Sequence, residues 1–477
     1  MEVLKQFLER EKGMKKSYLI KPLLDSHYPT AEYGKGIYIY DDQHKQYIDG
    51  SSGAVTASIG HAVPEIIEAM LRQAEKISFV YRSQFTTEEA EKLAERLSQI
   101  DFIKEGHYSS FFVNSGSEAT ETAMKMAIQH WQEQGMPTKN KVISRWTSYH
   151  GITMGSLSLS GHSERRRRFV SLLDDLPTIP APYCYRCPFN QEYPGCQLKC
   201  ATELEVAIQR MGADNIAAFI AEPIIGAAGA VIFPPEGYYE KIKEICDKHH
   251  ILFIADEVMT GIGRTGKMLA MEHWGVVPDI ITLGKGMSAG YTPLAATLVS
   301  EKVMEPILQG SKVIMSGHTY SANPQSAAVS LAVLDYIEKH NLVEKAAENG
   351  DYLLTQLQGL AKNYSIIGDV RGKGLMVGIE FVANFFSKFP FSKDKSLTNI
   401  IVSVAREKGL LIYPASAGIE GGDGDAVIIS PPLTIKKHEI DQLVEIFKET
   451  IAEVQSEIIG NHHQKIISLD DHLGSIS

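Results

Sequence analysis

Apolar and polar positions repeat with two different periods along this chain, and the changes of period mark its elements. Residues 36–49, GIYIYDDQHKQYID, alternate, pass through a polar turn and return, which predicts a β-hairpin. Residues 64–76 and 86–99 carry apolar side chains at helical spacing, and the second stretch opens with a Thr-Thr-Glu-Glu start signal. From about residue 109, short apolar runs alternate with helical patterns. SSFFVNSG precedes EATETAMKMAIQHW, NIAAFIAEPI is later followed by EGYYEKIKEICDKHH, and then come ILFIADEV and DIITLGKG. Apolar strands alternating with helices predict an α/β fold whose mostly parallel sheet is covered on both faces. A helix near 323–339 and helical pattern to about 362 lead into SIIGDVRGKGLMVGIEF and AVIISPP, strands of a smaller α+β unit. A helix over 436–456 closes the pattern, and the tail from Gly460 to Ser477 is expected to be loosely ordered.

Composition narrows the function classes. With 44% hydrophobic and 22% charged residues, the 477-residue chain is neither disordered, collagen-like nor mainly coiled coil. Its length allows two or three domains. Lys+Arg 47 against Asp+Glu 58 leaves a net charge of −11, which argues against general binding to nucleic acid or anionic membranes. A local positive pocket for a phosphate stays possible. No run reaches the roughly 18 apolar residues of a membrane span. The opening MEVLKQFLEREKGMKKSYLI lacks the apolar core of a secretory signal, so a cytoplasmic location is expected. Five cysteines do not make a disulfide framework.

Four places carry candidate chemistry, each expected at the end of an apolar strand, where open α/β sheets bind ligands. Asn114-Ser115-Gly116-Ser117-Glu118 puts small residues at a helix N-terminus, where free N–H groups and the helix dipole suit an anion. The hydroxyls of Ser115 and Ser117 add donors. Asp256 closes ILFIAD, and a carboxylate there is costly to bury unless a cation or strong donor meets it. Lys285 in IITLGKG stands between glycines after a buried strand, where partial burial would lower its pKa and make it a nucleophile. Tyr149-His150-Gly151 offers an aromatic plane beside a flexible glycine. Singly, each has a plain structural reading: an N-cap, a turn-capping Asp, a solvated lysine, an aromatic before a turn. Together they supply a phosphate cradle, an aromatic plate, a carboxylate for a ring nitrogen and an amine, the requirements of a pyridoxal 5′-phosphate (PLP) site.

From Gly36 to Thr434 the chain resembles the class III PLP-dependent aminotransferases of fold type I, the ω-amino acid and amine:pyruvate enzymes among them. NSGSEATETAMKMA, SYHG, AEPI, ADEVMTGIGRTG, LGKG and RGKGLMVGIE follow in the family's order. The resemblance implies a large PLP-binding domain over 65–325, flanked by 1–64 and 326–477, which form a smaller domain from both chain ends. It implies that Lys285 anchors the cofactor and shuttles a proton, and that Asp256 pairs with the ring nitrogen. Val258 would pack on one ring face and Tyr149, followed by His150, on the other. Ser115, Gly116 and Ser117 would hold the phosphate, with Glu222 of AEPI nearby. Thr319 of GHTYSANP would reach the phosphate of a partner subunit, which implies a homodimer with shared sites. The implied activity moves an amino group from an amine or ω-amino acid to a keto acid such as pyruvate, in ping-pong fashion.

One departure stands out. Many relatives that handle a second carboxylate carry a late arginine, but KGLLIYPASAGIEGGDGDAVIISPP has none and shows Tyr413-Pro414 instead. Arg82 or Arg371 could substitute. Donors without an α-carboxylate, including ω-amino and sulfonated ones, are therefore expected. Cys184, Cys187, Cys196 and Cys200 have spacing that could bind zinc, but reduced structural thiols are the preferred reading and no metal is expected. Cys246 is expected in the core. The run Arg165–Arg168 reads as a helix face, a dimer contact or a charge at the pocket edge. Decarboxylation, epimerisation or 1,2-aminomutation on the same fold, and a non-catalytic PLP-binding protein, are the alternatives.

Overall fold

The computed structural model describes residues 18–24, 28–174, 178–418 and 424–473, the last fifteen of these as backbone only. Most of the opening stretch, MEVLKQFLEREKGMKKS, lies outside the described residues.

The wholly apolar runs form the central sheet. Its strands are β4 (Ser109–Val113), β5 (Lys141–Ile143), β6 (Ile216–Ala221), β7 (Leu252–Asp256), β8 (Ile280–Leu283) and β9 (Ala295–Val299). They lie in the order β4-β9-β8-β7-β6-β5. Strands β5 to β8 pair in parallel, whereas β9 runs antiparallel to both β4 and β8. The Ala-rich β9 carries little β-branched pattern, and the sequence reading does not single it out.

Successive side chains of a strand point to opposite faces, and each face has its own cover. Ala218, Ile220, Leu252 and Ile254 pack against Ala123, Met126 and Trp131 of the helix Gly116–Glu133. Phe219, Ala221, Phe253 and Ala255 pack against Leu204 and Ile208 of Lys199–Met211 and against Tyr239, Ile242 and Cys246 of Tyr238–Lys248. Phe253 is fully buried, which is worth about 1.5–3 kcal/mol relative to exposure. With both faces filled, the open ends of the parallel strands are left for a ligand.

Two smaller sheets flank this body. β1 (Ala31–Lys35), β2 (Tyr38–Asp41), β3 (Gln46–Asp49) and β12 (Leu410–Leu411) form one, in which Ile48 and Asp49 pair in parallel with Leu410 and Leu411 and so tie the two chain ends together. β10 (Ile367–Gly372), β11 (Val377–Phe381), β14 (Asp425–Ile429) and β13 (Tyr413–Ser416) form the other, antiparallel throughout.

Two expectations need correction. KVISRWTS is not one strand: β5 stops at Ile143, because Ser144 and Arg145 turn polar groups inward, so Tyr149 stands on a loop and not at a strand end. The C-terminal helix runs from Lys437 to Leu473, well past 456, so the tail that was expected to be loose is helical through Leu473. It runs on through Gly460, the residue of lowest helix propensity in it.

Candidate active site

The ends of β6, β7 and β8 place Glu222, Asp256 and Lys285 around one cavity of about 290 Å3. Ser115, Gly116, Ser117, Tyr149, His150 and Val258 line the same cavity. Residues from separate stretches of the chain between Thr56 and Tyr413 thus meet in a space suited to a small ligand.

The carboxylate of Asp256 is held from three sides. Its Oδ1 accepts from the Thr282 hydroxyl at 3.0 Å and the Val258 N–H at 3.1 Å, and Oδ2 lies 2.7 Å from His150 Nδ1. His150 Nε2 is buried without a partner. Glu222 is also buried. Its Oε1 accepts from the Tyr149 N–H at 2.9 Å and Oε2 from the Gly226 N–H at 3.0 Å. Burial nevertheless raises its pKa, against the opposing pull of His150.

Lys285 is enclosed, and burial lowers its pKa to about 8; Asp256 and Glu222 oppose the shift and Arg165 adds to it. The backbone of Lys285 is left-handed, with φ 41°, a conformation that costs a non-glycine residue about 1–3 kcal/mol and is kept where surroundings enforce it.

The anion cradle follows from local rules. Ser115 caps the helix Gly116–Glu133, its Oγ accepting from the Glu118 N–H at 3.3 Å. The N–H groups of Gly116 and Ser117 fall in the first turn, where no helical carbonyl can reach them. A Cβ on Gly116 would meet Val258 Cγ1 at 2.8 Å, so only glycine lets the turn lie against Val258. Gly151 has φ +138°, and a Cβ there would strike Ser117 Oγ at 2.5 Å. These features fit PLP: N–H donors at a helix end for a phosphate, an oriented carboxylate for a protonated ring nitrogen, and an amine whose pKa leaves part of it neutral.

Thr319 stands apart. It is exposed and does not line the cavity of its own chain, although the neighbouring His318 lies 3.7 Å from Glu118 at the start of the cradle helix.

Sequence reasoning missed Thr282 and Arg145. Arg145 is fully buried and donates to the Glu222 carbonyl at 2.5 Å and to the Tyr239 hydroxyl at 3.2 Å. An arginine inside the run KVISRW was its available signal. The two proposed stand-ins for the late arginine are engaged elsewhere in the chain. Arg371 donates to Asp369 at 2.6 Å and to the buried Glu380 at 3.0 Å, and Arg82 lies over Phe111 and bonds the Ser316 carbonyl. Neither lines the cavity.

Cys184, Cys187, Cys196 and Cys200 share one small pocket as free thiols, and Cys246 is buried in the core. Among the described residues no group of three or more His, Cys, Asp or Glu could hold a metal ion.

The chain matches the aminotransferase class-III family over residues 25–451. It is 54% identical to an uncharacterized aminotransferase of Bacillus subtilis, YodT, over 93% of this chain and 99% of that one. It is 33% identical to a putrescine–pyruvate aminotransferase of Pseudomonas aeruginosa, over 89% of this chain and 91% of that one. Among solved structures, an amine transaminase from an uncultivated Pseudomonas species, in its PLP-bound form, superposes with a TM-score of 0.87 at 34% identity, over 92% of this chain and 99% of that one. Family, fold and cavity agree: the chain belongs to the class III aminotransferases, PLP-dependent enzymes of fold type I that catalyse transamination.

Proposed function

We propose that the donor is an amine or an ω-amino acid, that the acceptor is a keto acid such as pyruvate, and that the enzyme works as a homodimer. The observation that carries the donor class is the cavity wall: no arginine is among its described lining residues, and Tyr413, from the stretch that lacks the late arginine, is one of them. An α-carboxylate would enter beside Glu222 and Asp256 without a fork to receive it, whereas an uncharged substituent meets Met259, Leu294 and Tyr413. The putrescine–pyruvate relative supports the same donor and acceptor classes.

Bound PLP supplies an electron sink for negative charge at the substrate carbon and carries the amino group between donor and acceptor. The chain's residues supply the rest. Lys285 Nζ, kept partly neutral by burial, takes and returns the proton at the substrate carbon. Asp256, fixed by Thr282, Val258 and His150, presents its carboxylate to the ring nitrogen. Val258 and Tyr149, which line the cavity, would hold the ring, and the N–H groups at Gly116 and Ser117, with the Ser115 and Ser117 hydroxyls, would receive the phosphate. Glu222 fixes the Tyr149 loop through its backbone N–H.

Exposed apolar side chains support the dimer. Phe85, Met315 and Tyr320 are 65%, 85% and 61% exposed, in the two segments that border Thr319 and Arg82. A monomer leaves few such clusters uncovered. With a partner over them, Thr319 would reach the neighbouring phosphate. A cytoplasmic setting suits five cysteines held as free thiols, and no helix among the described residues is long and apolar enough to cross a membrane.

The test is a half-reaction panel followed by the cofactor's absorbance. Putrescine or an ω-amino acid should discharge the PLP form fastest, and pyruvate should restore it. Glutamate emerging as by far the best donor would overturn the donor assignment.

A further inference from the structure

A second chamber of about 460 Å3 adjoins the cofactor cavity, with Ala227 lining both. Strand β13 runs past the two: Tyr413 faces the cofactor cavity, and Pro414, Ala415 and Ser416 line the second chamber. This is the stretch that lacks the late arginine, yet a guanidinium arrives from elsewhere. Arg165, on the short helix Ser163–Arg167, lines the second chamber with its Cζ 4.5 Å from the centre of the Tyr149 ring. Tyr149 lines the first cavity, so Arg165 marks the boundary between the two spaces.

Its neighbours in the arginine run do other things. Arg166 is buried and donates to the carbonyls of Leu157, Ser158 and Ser160 at 2.6, 2.6 and 2.9 Å. Arg167 and Arg168 are exposed. Arg165 is half-buried, and its charge reaches far enough to help depress the pKa of Lys285. Among the described residues two carboxylates border the chamber, and neither is ion-paired to Arg165: Glu164 is exposed, and Asp425 Oδ1 accepts from the Thr398 N–H at 2.8 Å and hydroxyl at 2.7 Å. Further donors in the wall are the exposed Lys393 ammonium, the Asn399 amide and the hydroxyls of Ser396 and Ser416.

We infer that this chamber receives the distal acidic group of the donor, a carboxylate or sulfonate, and that Arg165 grips it while the amino end lies in the cofactor cavity. The inference rests on the ω-amino donor reading above and adds where the far end goes. A planar guanidinium already seated on an aromatic ring is preorganised to take two oxygens of an oxyanion at once.

The experiment compares wild type with Arg165→Gln, Arg165→Lys and, as a surface control, Arg168→Gln, all as holoenzyme. The first readout is calorimetric binding of propionate and ethanesulfonate, which lack an amine and cannot react. The second is kcat/KM for β-alanine, taurine and propylamine. Arg165→Gln should weaken both anions and lower kcat/KM for the acidic donors about 10- to 100-fold more than for propylamine, the range of a hydrogen bond to a charged group. A loss confined to the carboxylate pair or to the sulfonate pair would identify which oxyanion the chamber takes. Arg165→Lys should recover part of the loss, and Arg168→Gln should match wild type. An equal fall for all three donors, with anion binding intact, would make Arg165 a brace for Tyr149 and overturn the inference. Unchanged anion binding in Arg165→Gln would overturn it as well. Failure of the donor reading has a separate signature: wild type would bind both anions yet transaminate none of the three donors.

Discussion

His150 Nδ1 lies 2.7 Å from Asp256 Oδ2, with both side chains closed off from solvent. The contact joins two segments 106 residues apart, the Tyr149 loop and the end of β7. It completes a set of donors that leaves Asp256 one orientation. Thr282 and the Val258 N–H hold the other oxygen. A carboxylate bonded this way is aimed before any ligand arrives, so no reorganisation is needed when a ring nitrogen binds.

Asp256→Asn should therefore keep the cofactor but slow proton removal from the donor. The amide still fills the site and still accepts from Thr282, while the ring nitrogen loses the negative charge that keeps it protonated. A fall of about 10²–10⁴ in the donor half-reaction is expected, with the phosphate still bound. Stopped-flow absorbance on the reconstituted variant measures it. A fall of less than tenfold would remove Asp256 from the role of setting the ring's electronics.

Lys285 makes attachment of the cofactor to the apoenzyme depend on pH. The attacking form is the neutral amine, and burial brings its pKa down to about 8 from the 10.5 of a solvated lysine. Roughly one lysine in ten is then neutral at pH 7 and nine in ten at pH 9. The rate of covalent attachment should climb with pH through about 8 and level off above it. Absorbance of the bound cofactor, followed after mixing apoenzyme with PLP at each pH, reads the curve. A rate still climbing steeply above pH 9.5 would mean that Lys285 is more solvated than its burial implies. Lys285→Ala should show no covalent attachment at any pH.

Much of this site was legible in the sequence because parallel strands are buried on both faces and leave polar residues only at their ends. Asp256 and Lys285 are conspicuous for that reason: Asp256 ends the unbroken apolar run ILFIA, and Lys285 follows the short strand IITL across one glycine. Ser115 to Ser117 were legible through helix-start chemistry. Tyr149 was found but misplaced, since KVISRW reads as one strand until Arg145 turns inward to bond the Glu222 carbonyl. Contacts between distant segments left no local trace. The Asp256 to Thr282 bond spans 26 residues and Arg264 reaches the Pro431 carbonyl 167 residues away, and neither has a period or motif of its own. The replacement proposed for the missing arginine was legible only as one of three readings of the run Arg165–Arg168, a charge at the pocket edge: nothing in RRRR distinguishes the residue on Tyr149 from its three neighbours.

Arg371 should behave as a brace. It bonds Asp369, the fully buried Glu380 and the Gly229 carbonyl, and Arg186 holds the other oxygen of Glu380 at 2.5 Å. Arg371→Met would leave Glu380 half-neutralised in the interior. Removing one partner of a buried pair typically costs 3–5 kcal/mol, and with Arg186 still in place about 3 kcal/mol is expected. The midpoint of urea unfolding should fall accordingly, while the ratio of kcat/KM for acidic and neutral donors stays as in wild type. A selective loss of acidic donors with unchanged unfolding would instead make Arg371 the clamp.

The last prediction concerns Thr319, exposed in its own chain and outside its own cavity. If it completes the partner's phosphate site, two individually defective chains should rescue each other. Lys285→Ala lacks the amine. Thr319→Asp sets a carboxylate against the phosphate dianion and weakens the cradle it reaches by like-charge repulsion. In a mixed dimer, the site with an intact Lys285 belongs to the Thr319→Asp chain and receives the intact Thr319 of the Lys285→Ala chain. That site is whole, and the other carries both defects. Random pairing of equal amounts in a closed two-fold dimer makes about half of the dimers mixed, so roughly a quarter of wild-type activity should return. If Thr319 acted within its own chain, every site in the mixed dimer would retain one defect and mixing would restore nothing. Refolding the two variants together and separately, with light scattering to fix the assembly state, decides between these outcomes. An active monomer would end the shared-site picture outright.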